Sequence, residues 1–306
     1  HRRSDAVERF DLRVLWLPLR VQGKAEKEET IGLNASARYA RRRLGAQPGE
    51  AEDLTQDLAL KLYRQAQTYR AEGRFGAYAF RVARNLWIDR VRKVVAKRLT
   101  AAKQDIPHFY LRTSVCADPV IALRPHANLV LGSKASLNDF VVMAAARALR
   151  RHPEVNVQLH GEEIHRFPHA DVSVAVASPN GLMTPIVRQA DRLGIGQIAK
   201  ATRALIDKAE AGRLGYDDLD GGTFTVSNLG MFGIENFDAV INPPHGAILA
   251  VGAGIKTPVV ENDEIVIRNV MSMTLSVDHR AIDGAAGAKF LATFKTLFEN
   301  PEELFA

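Results

Sequence analysis

The sequence predicts an α/β (α+β) protein, with one large mixed sheet and its helices over residues 94–306. A mainly helical, basic segment over residues 1–93 precedes it. Three observations carry this reading. From residue 94 onward, β-branched apolar runs are interleaved with capped amphipathic helices. The charge is uneven: residues 1–94 hold 20 Lys+Arg against 12 Asp+Glu, whereas the rest hold 21 against 23. A length of 306 residues suggests about two domains.

Composition excludes several classes. Hydrophobic residues at 46% and charged residues at 25% fit a soluble globular protein. No apolar run reaches the ~18 residues of a membrane span, so no membrane partner is expected. The single Cys116 excludes an internal disulfide and a multi-cysteine zinc site, and fits a reducing compartment. The start, His1-Arg2-Arg3, lacks a methionine and a signal h-region and reads as an internal fragment.

Taken in order, Val14 to Leu19 is apolar but broken by Pro18, and Arg41-Arg42-Arg43 is a short basic cluster. The cluster suits either phosphates or a solvated helix face. Both tryptophans, Trp16 and Trp87, lie in this first part. Glu50, Glu52 and Asp53 open a helix that carries Leu54, Leu58, Leu60, Leu62 and Tyr63. After Gly73 and Gly76, residues 78–90 read as a second amphipathic helix with arginines along one side.

Residues 94–103 continue helically, and Ile106–Cys116 reads as a strand. Pro119 and Pro125 interrupt the next stretch, where a helix would otherwise be placed. Ser136–Arg151 is a helix capped by Ser136 or Asn138. Strands follow at Val155–Leu159, Ile164–Phe167 and Val172–Ala177. Asn180-Gly181 is a turn signal, and Met183–Val187 is a further strand. Ile195–Ala211 is a helix that Gly212 ends. Phe224–Val226, Ala247–Val251, Val259–Val260, Ile265–Ile267 and Met271–Val277 complete the strands. A helix from about Asp283 to Phe298 closes the chain.

Candidate chemistry lies at strand ends. His279 follows an apolar strand, with Asp283 four residues on. A histidine there can serve as a general base, since its pKa in water lies near working pH. Spacing alone favours a structural His279 with Asp283 as a helix cap. Ser227 places a hydroxyl at a strand end among glycines, where it can donate to an oxyanion or sit in an ordinary turn. His245 and His108 read as structural. His160, His165 and His169 lack a partner at metal-ligand spacing, so no metal site is expected.

Two resemblances follow from these residues. Ala51 to Gln56, Gly73-Arg74-Phe75, and Ala83-Arg84-Asn85 with Asp89 and Arg92 resemble region 2 of extracytoplasmic-function sigma factors. That implies polymerase and promoter contact through residues 1–93. No second helix-turn-helix module follows, so nucleic acid is kept as an alternative and not as an expected partner.

Residues 94–306 resemble the catalytic domain of the dihydrolipoyl acyltransferases that form the core of 2-oxoacid dehydrogenase complexes. The carrying blocks are Lys97-Arg98-Leu99, Ile106 to Leu111, Pro179 to Val187, Phe224 to Gly233, and Asp278 to Ala285 with its His279-x-x-x-Asp283-Gly284. Gly230 to Ile234, Ile241 to Pro244 and Ala250 to Gly254 are most similar to the acetyltransferase of pyruvate dehydrogenase complexes; succinyl and branched-chain transfer are the alternatives. The resemblance implies a chloramphenicol-acetyltransferase-like fold, trimers with the active site between two subunits, and a cubic or dodecahedral shell. It also implies acyl transfer from a dihydrolipoyl group to coenzyme A, both as substrates. His279 would be the base, Ser227 the oxyanion donor, and Asp283 a residue that orients the loop or tunes His279. Implied partners are lipoyl domains and the decarboxylase and dihydrolipoyl dehydrogenase subunits, in the bacterial cytoplasm or mitochondrial matrix. No lipoyl-lysine hairpin stands out in the sequence.

Overall fold

The computed structural model describes Asp53 and residues 56–62, 75–178 and 181–305. The expectations for Val14 to Leu19, Trp16, Arg41 to Arg43, Tyr63, Gly73 and Asn180 lie outside the described residues. The chain divides into two units, His1–Arg92 and Lys93–Ala306.

In the first unit, residues 56–62 are helical, and Leu58, Val82 and Ala83 form a small buried cluster against Leu62 and Leu86. Leu58 and Leu62 share a face at helical spacing. Leu60 lies off that face and is exposed. The helix expected over residues 78–90 is part of a longer one, α1 (Phe75–Asp105). Of the arginines expected along one side, Arg81 is exposed; the side chains of Arg84 and Arg90 lie outside the described residues.

The second unit is built on a six-stranded mixed sheet. Its strands are β1 (His108–Cys116), β4 (Val172–Val174), β7 (Ile186–Val187), β8 (Phe224–Asn228), β9 (Ala247–Glu261) and β10 (Glu264–Asp278). They lie in the order β1-β10-β9-β8-β4-β7. The β9–β8 and β8–β4 pairs are parallel, and the others antiparallel. Two small hairpins, β2 (Val157–His160) with β3 (Glu163–Arg166) and β5 (Val176–Ser178) with β6 (Gly181–Met183), stand apart from it. The mixed α/β class is as expected.

Several expected elements differ in extent. The four short strands at 247–251, 259–260, 265–267 and 271–277 are two strands of 15 residues, β9 and β10. Asn262 and Asp263, both at positive φ, join them in the two-residue turn that suits a right-twisted hairpin. Glycines and polar residues between the apolar runs concealed this continuity. The run Val172–Ala177 breaks at Ala175, whose N–H turns to the Val226 carbonyl. Met183–Val187 breaks at Pro185, which cannot donate to a ladder. The prolines at 119 and 125 do not prevent a helix: α2 spans Asp118–Leu131. Pro119 sits in the first turn, where its N–H would have no partner, and Pro125 forfeits one internal bond while Val120 and Ala127 are buried.

The helices α3 (Leu137–Arg151), α4 (Ile195–Glu210) and α6 (Gly284–Glu299), with the short α5 (Tyr216–Leu219) before β8, complete the unit. Ser136 caps α3 in a capping box with Asp139, and Gly212 ends α4 at positive φ. α3 and α6 bury Phe140, Phe290, Phe294 and Phe298 together with Phe224 of β8. Each such side chain contributes about 2 kcal/mol of burial.

The two faces of the sheet separate by strand alternation. Ala247, Leu249 and Val251 face the main core, and so do Met271, Met273, Leu275 and Val277. Ile248 and Ala250 face a smaller second cluster with Ala102, Ile106, Ala239 and Ile241. On β8, Phe224 and Val226 belong to the main core, so Thr225 and Ser227 lie on the second face.

Candidate active site

The turn after β10 is fixed at both sides of His279. Asp278 is 1% exposed, and its N–H donates to the Gly246 carbonyl at 2.9 Å. Its carboxylate accepts two bonds from the Arg280 guanidinium, at 2.9 and 2.7 Å. The same carboxylate accepts the Arg280 backbone N–H. Those bonds raise the Arg280 pKa further above its ordinary value. Between these clamped neighbours His279 is exposed. Its N–H donates to the Pro107 carbonyl at 3.1 Å, and Phe109 meets its ring edge-on at 5.1 Å.

Asp283 is the N-cap of α6 and accepts the Ala286 N–H at 2.7 Å. Phe109 also bounds the next residue: a Cβ on Gly284 would come within 3.3 Å of its ring. One aromatic side chain therefore packs against both the histidine and the start of the helix. The sequence places Phe109 in a strand and in a family block but gives no sign of this contact. The Asp278–Arg280 clamp has no signature in the sequence beyond the two residues flanking His279.

Ser227 is half-buried on the second face of β8. Beside it the Asn228 side chain donates to Asn138 at 3.0 Å and accepts the Gly230 N–H at 2.8 Å. Asn138 therefore braces the turn after Ser227, and capping of α3 is left to Ser136.

Ser227 and His279 are not brought together within one chain. Ser227 is level with Ala250, and Ala250 with Thr274. His279 lies five residues past Thr274, about 16 Å along the strand and about 10 Å across two strand spacings, so the two are about 19 Å apart.

A shallow hollow of about 280 Å³, largely open to solvent, adjoins the turn and is lined by Arg98, Asp105, Ile106, Pro243 and Arg280 among others. Arg98 donates to the Pro243 carbonyl at 2.6 Å. His160 and His165 pack ring to ring at 4.7 Å, and His169 pairs with buried Asp191. His108 bonds the Ile106 carbonyl and the Ile241 N–H. Among the described residues no group of three His, Cys, Asp or Glu is placed to hold a metal. No helix among them is long and apolar enough to cross a membrane.

The mixed sheet carries a histidine on a braced turn before a capped helix, and sequence comparison identifies the family. Residues 82–306 match the family model of the 2-oxoacid dehydrogenases acyltransferase (catalytic domain), and the chain belongs to that family. Residues 33–97 also match sigma-70 region 2. The dihydrolipoyllysine-residue acetyltransferase component of the pyruvate dehydrogenase complex of Rickettsia bellii is 44% identical over 226 residues, 72% of this chain and 53% of that protein. The chain thus spans about half the length of the curated relatives it matches. Among solved structures, the cubic core of the pyruvate dehydrogenase multienzyme complex is 29% identical with a TM-score of 0.68, covering 71% of this chain and 91% of that one. The Azotobacter vinelandii dihydrolipoamide acetyltransferase matches to the same extent, 29% identical with a TM-score of 0.68 over 71% and 91% of the two chains. That structure was studied for the role of a serine, a histidine and an asparagine in its catalytic mechanism.

Proposed function

We propose that this chain transfers an acetyl group from acetyl-dihydrolipoamide to coenzyme A, as the core subunit of a pyruvate dehydrogenase-type complex. The observation that carries this reading is the braced, exposed His279 in a catalytic domain of this family. The serine, histidine and asparagine of the Azotobacter protein have the same two sequence spacings as Ser227, His279 and Asp283.

A neutral thiol, with a pKa near ~8.5, attacks a thioester poorly. His279 removes the proton from the coenzyme A thiol as its sulfur bonds to the acetyl carbon. The Ser227 hydroxyl donates to the oxyanion of the tetrahedral intermediate. Collapse breaks the bond to the dihydrolipoamide sulfur, which recovers the proton from His279. Asp283 acts by position: aspartate and asparagine are equivalent N-caps, which accounts for the asparagine at that spacing in the relative.

A separation of about 19 Å means that each site takes His279 from one chain and Ser227 from another. This supports self-association into trimers and, as in the cubic-core relative, a larger shell; lipoyl domains and the decarboxylase and dihydrolipoyl dehydrogenase subunits are the proposed partners. Mixing the inactive His279→Ala and Ser227→Ala chains, then reassembling them, should restore about a quarter of wild-type acetyl-CoA formation in closed symmetric rings. No recovery in reassembled particles of wild-type mass would refute the two-chain site. Acetyl transfer unaltered in His279→Ala alone would refute the activity as assigned.

A second reading attaches to residues 33–97, from their sigma-70 region 2 match and the basic charge of the first third. Salt-dependent promoter binding by the full chain, abolished on removing residues 1–92, would support it.

A further inference from the structure

The second face of the sheet also buries His245, which the transfer reaction does not use. Its Nδ1 lies 2.8 Å from the Thr225 hydroxyl, and the ring bonds the Gly222 carbonyl on its other side. A carbonyl only accepts, so Nε2 carries the proton and Nδ1 accepts from Thr225. Gln158 donates to the same carbonyl at 2.6 Å and meets His160 at 2.7 Å. Burial, reinforced by the charge of Arg98, pushes the His245 pKa down to about 4, which keeps this arrangement neutral at working pH. A side chain on Gly222 would come within 3.1 Å of the ring and 2.3 Å of the Ser173 hydroxyl. Only glycine leaves room for the imidazole.

The partners on either side of His245 lead to the two halves of the proposed site. Thr225 stands two residues from Ser227 on the same strand face. The backbone beside His245 joins the other half. Leu159 donates to the Pro244 carbonyl and Gly246 to the Val157 carbonyl, each at 2.9 Å. The Gly246 carbonyl then accepts the N–H of Asp278, the residue before His279. We propose that His245 is a positioning residue that holds both half-sites of one chain in register, by tying β8 through Thr225 to the loop on which Asp278 rests. This rests on the reading that Ser227 and His279 perform the transfer.

The test is steady-state acetyl transfer by the assembled full chain, with particle mass and thermal midpoint recorded. Thr225→Val and His245→Leu should each lower kcat about 10- to 100-fold, the scale of a small misplacement, with KM for coenzyme A little changed. The double variant should be no slower than the slower single, because both break one link. His245→Asn places an amide where Nδ1 stood and should recover most of kcat. His245→Gln, which reaches only toward Gly222, should not. Wild-type kcat in Thr225→Val, additive losses, or losses that track the folded fraction alone would overturn the proposal. Should His245→Leu fail to assemble, Thr225→Val and His245→Asn still decide it. His279→Ala and Ser227→Ala, run alongside, separate failure of this inference from failure of the transfer reading.

Discussion

The turn carrying His279 and the strand carrying Ser227 are held by different physics. The turn is exposed and braced by local bonds: Asp278 grips Arg280 two residues on, the Asp283 side chain caps α6, and Phe109 closes one side. The strand is fixed by register in the middle of the sheet, with Thr225 tied to a histidine 20 residues away. A base must reach a mobile thiol and suits an exposed turn. An oxyanion donor must not move and suits a sheet. On the proposed roles, the comparison teaches that one chain carries both tools, each set to serve a different site.

The largest effect should come from the exposed half. His279→Ala should lower kcat by about 10²–10⁴-fold, the usual contribution of a general base, with particle mass unchanged. Ser227→Ala should lower kcat by about 10²–10³-fold and leave KM nearly unaltered. A dominant KM effect would mark Ser227 as a binding group and break the contrast between the halves.

Smaller effects sharpen the difference in how each half is held. His245 binds its proton more weakly folded than unfolded, so unfolding is favoured once the unfolded histidine charges. Its contribution is complete above about pH 6.5 and is lost as pH falls toward about 4. At most about 3 kcal/mol is at stake. Urea unfolding of wild type against His245→Asn should diverge over that window and in no other. Arg280→Met should cost about 1–3 kcal/mol, since the Asp278 carboxylate stays buried without its ion partner. Asp283→Ala should cost about 1 kcal/mol through the lost cap, and Asp283→Asn almost nothing. A kcat loss in Asp283→Asn as large as that in Asp283→Ala would assign Asp283 a charge-dependent role.

Much of the fold was legible because its signals are local. Ser136 with Asp139, the apolar face of Ile195 to Ala209 and the glycine at 212 act within a turn or two of themselves. The sequence motif around His279 was equally readable, since its residues are contiguous. The break at Ala175 and the helix through Pro125 were not legible. The first depends on a bond to Val226 and the second on packing of Val120 and Ala127, neither of which has a local sequence signature.

The sequence by itself determined the helix caps and the alternation of the strands, because each follows from residue type at short spacing, and its motif blocks carried the resemblance to the acyltransferase family. Tertiary structure alone decided that four apolar runs make one long hairpin. It also decided that His245 is buried against Thr225, and that Ser227 and His279 of one chain stand apart. These outcomes depend on which strand lies beside which, and in what register. Such pairings join residues tens of positions apart, and no local period in the sequence records them.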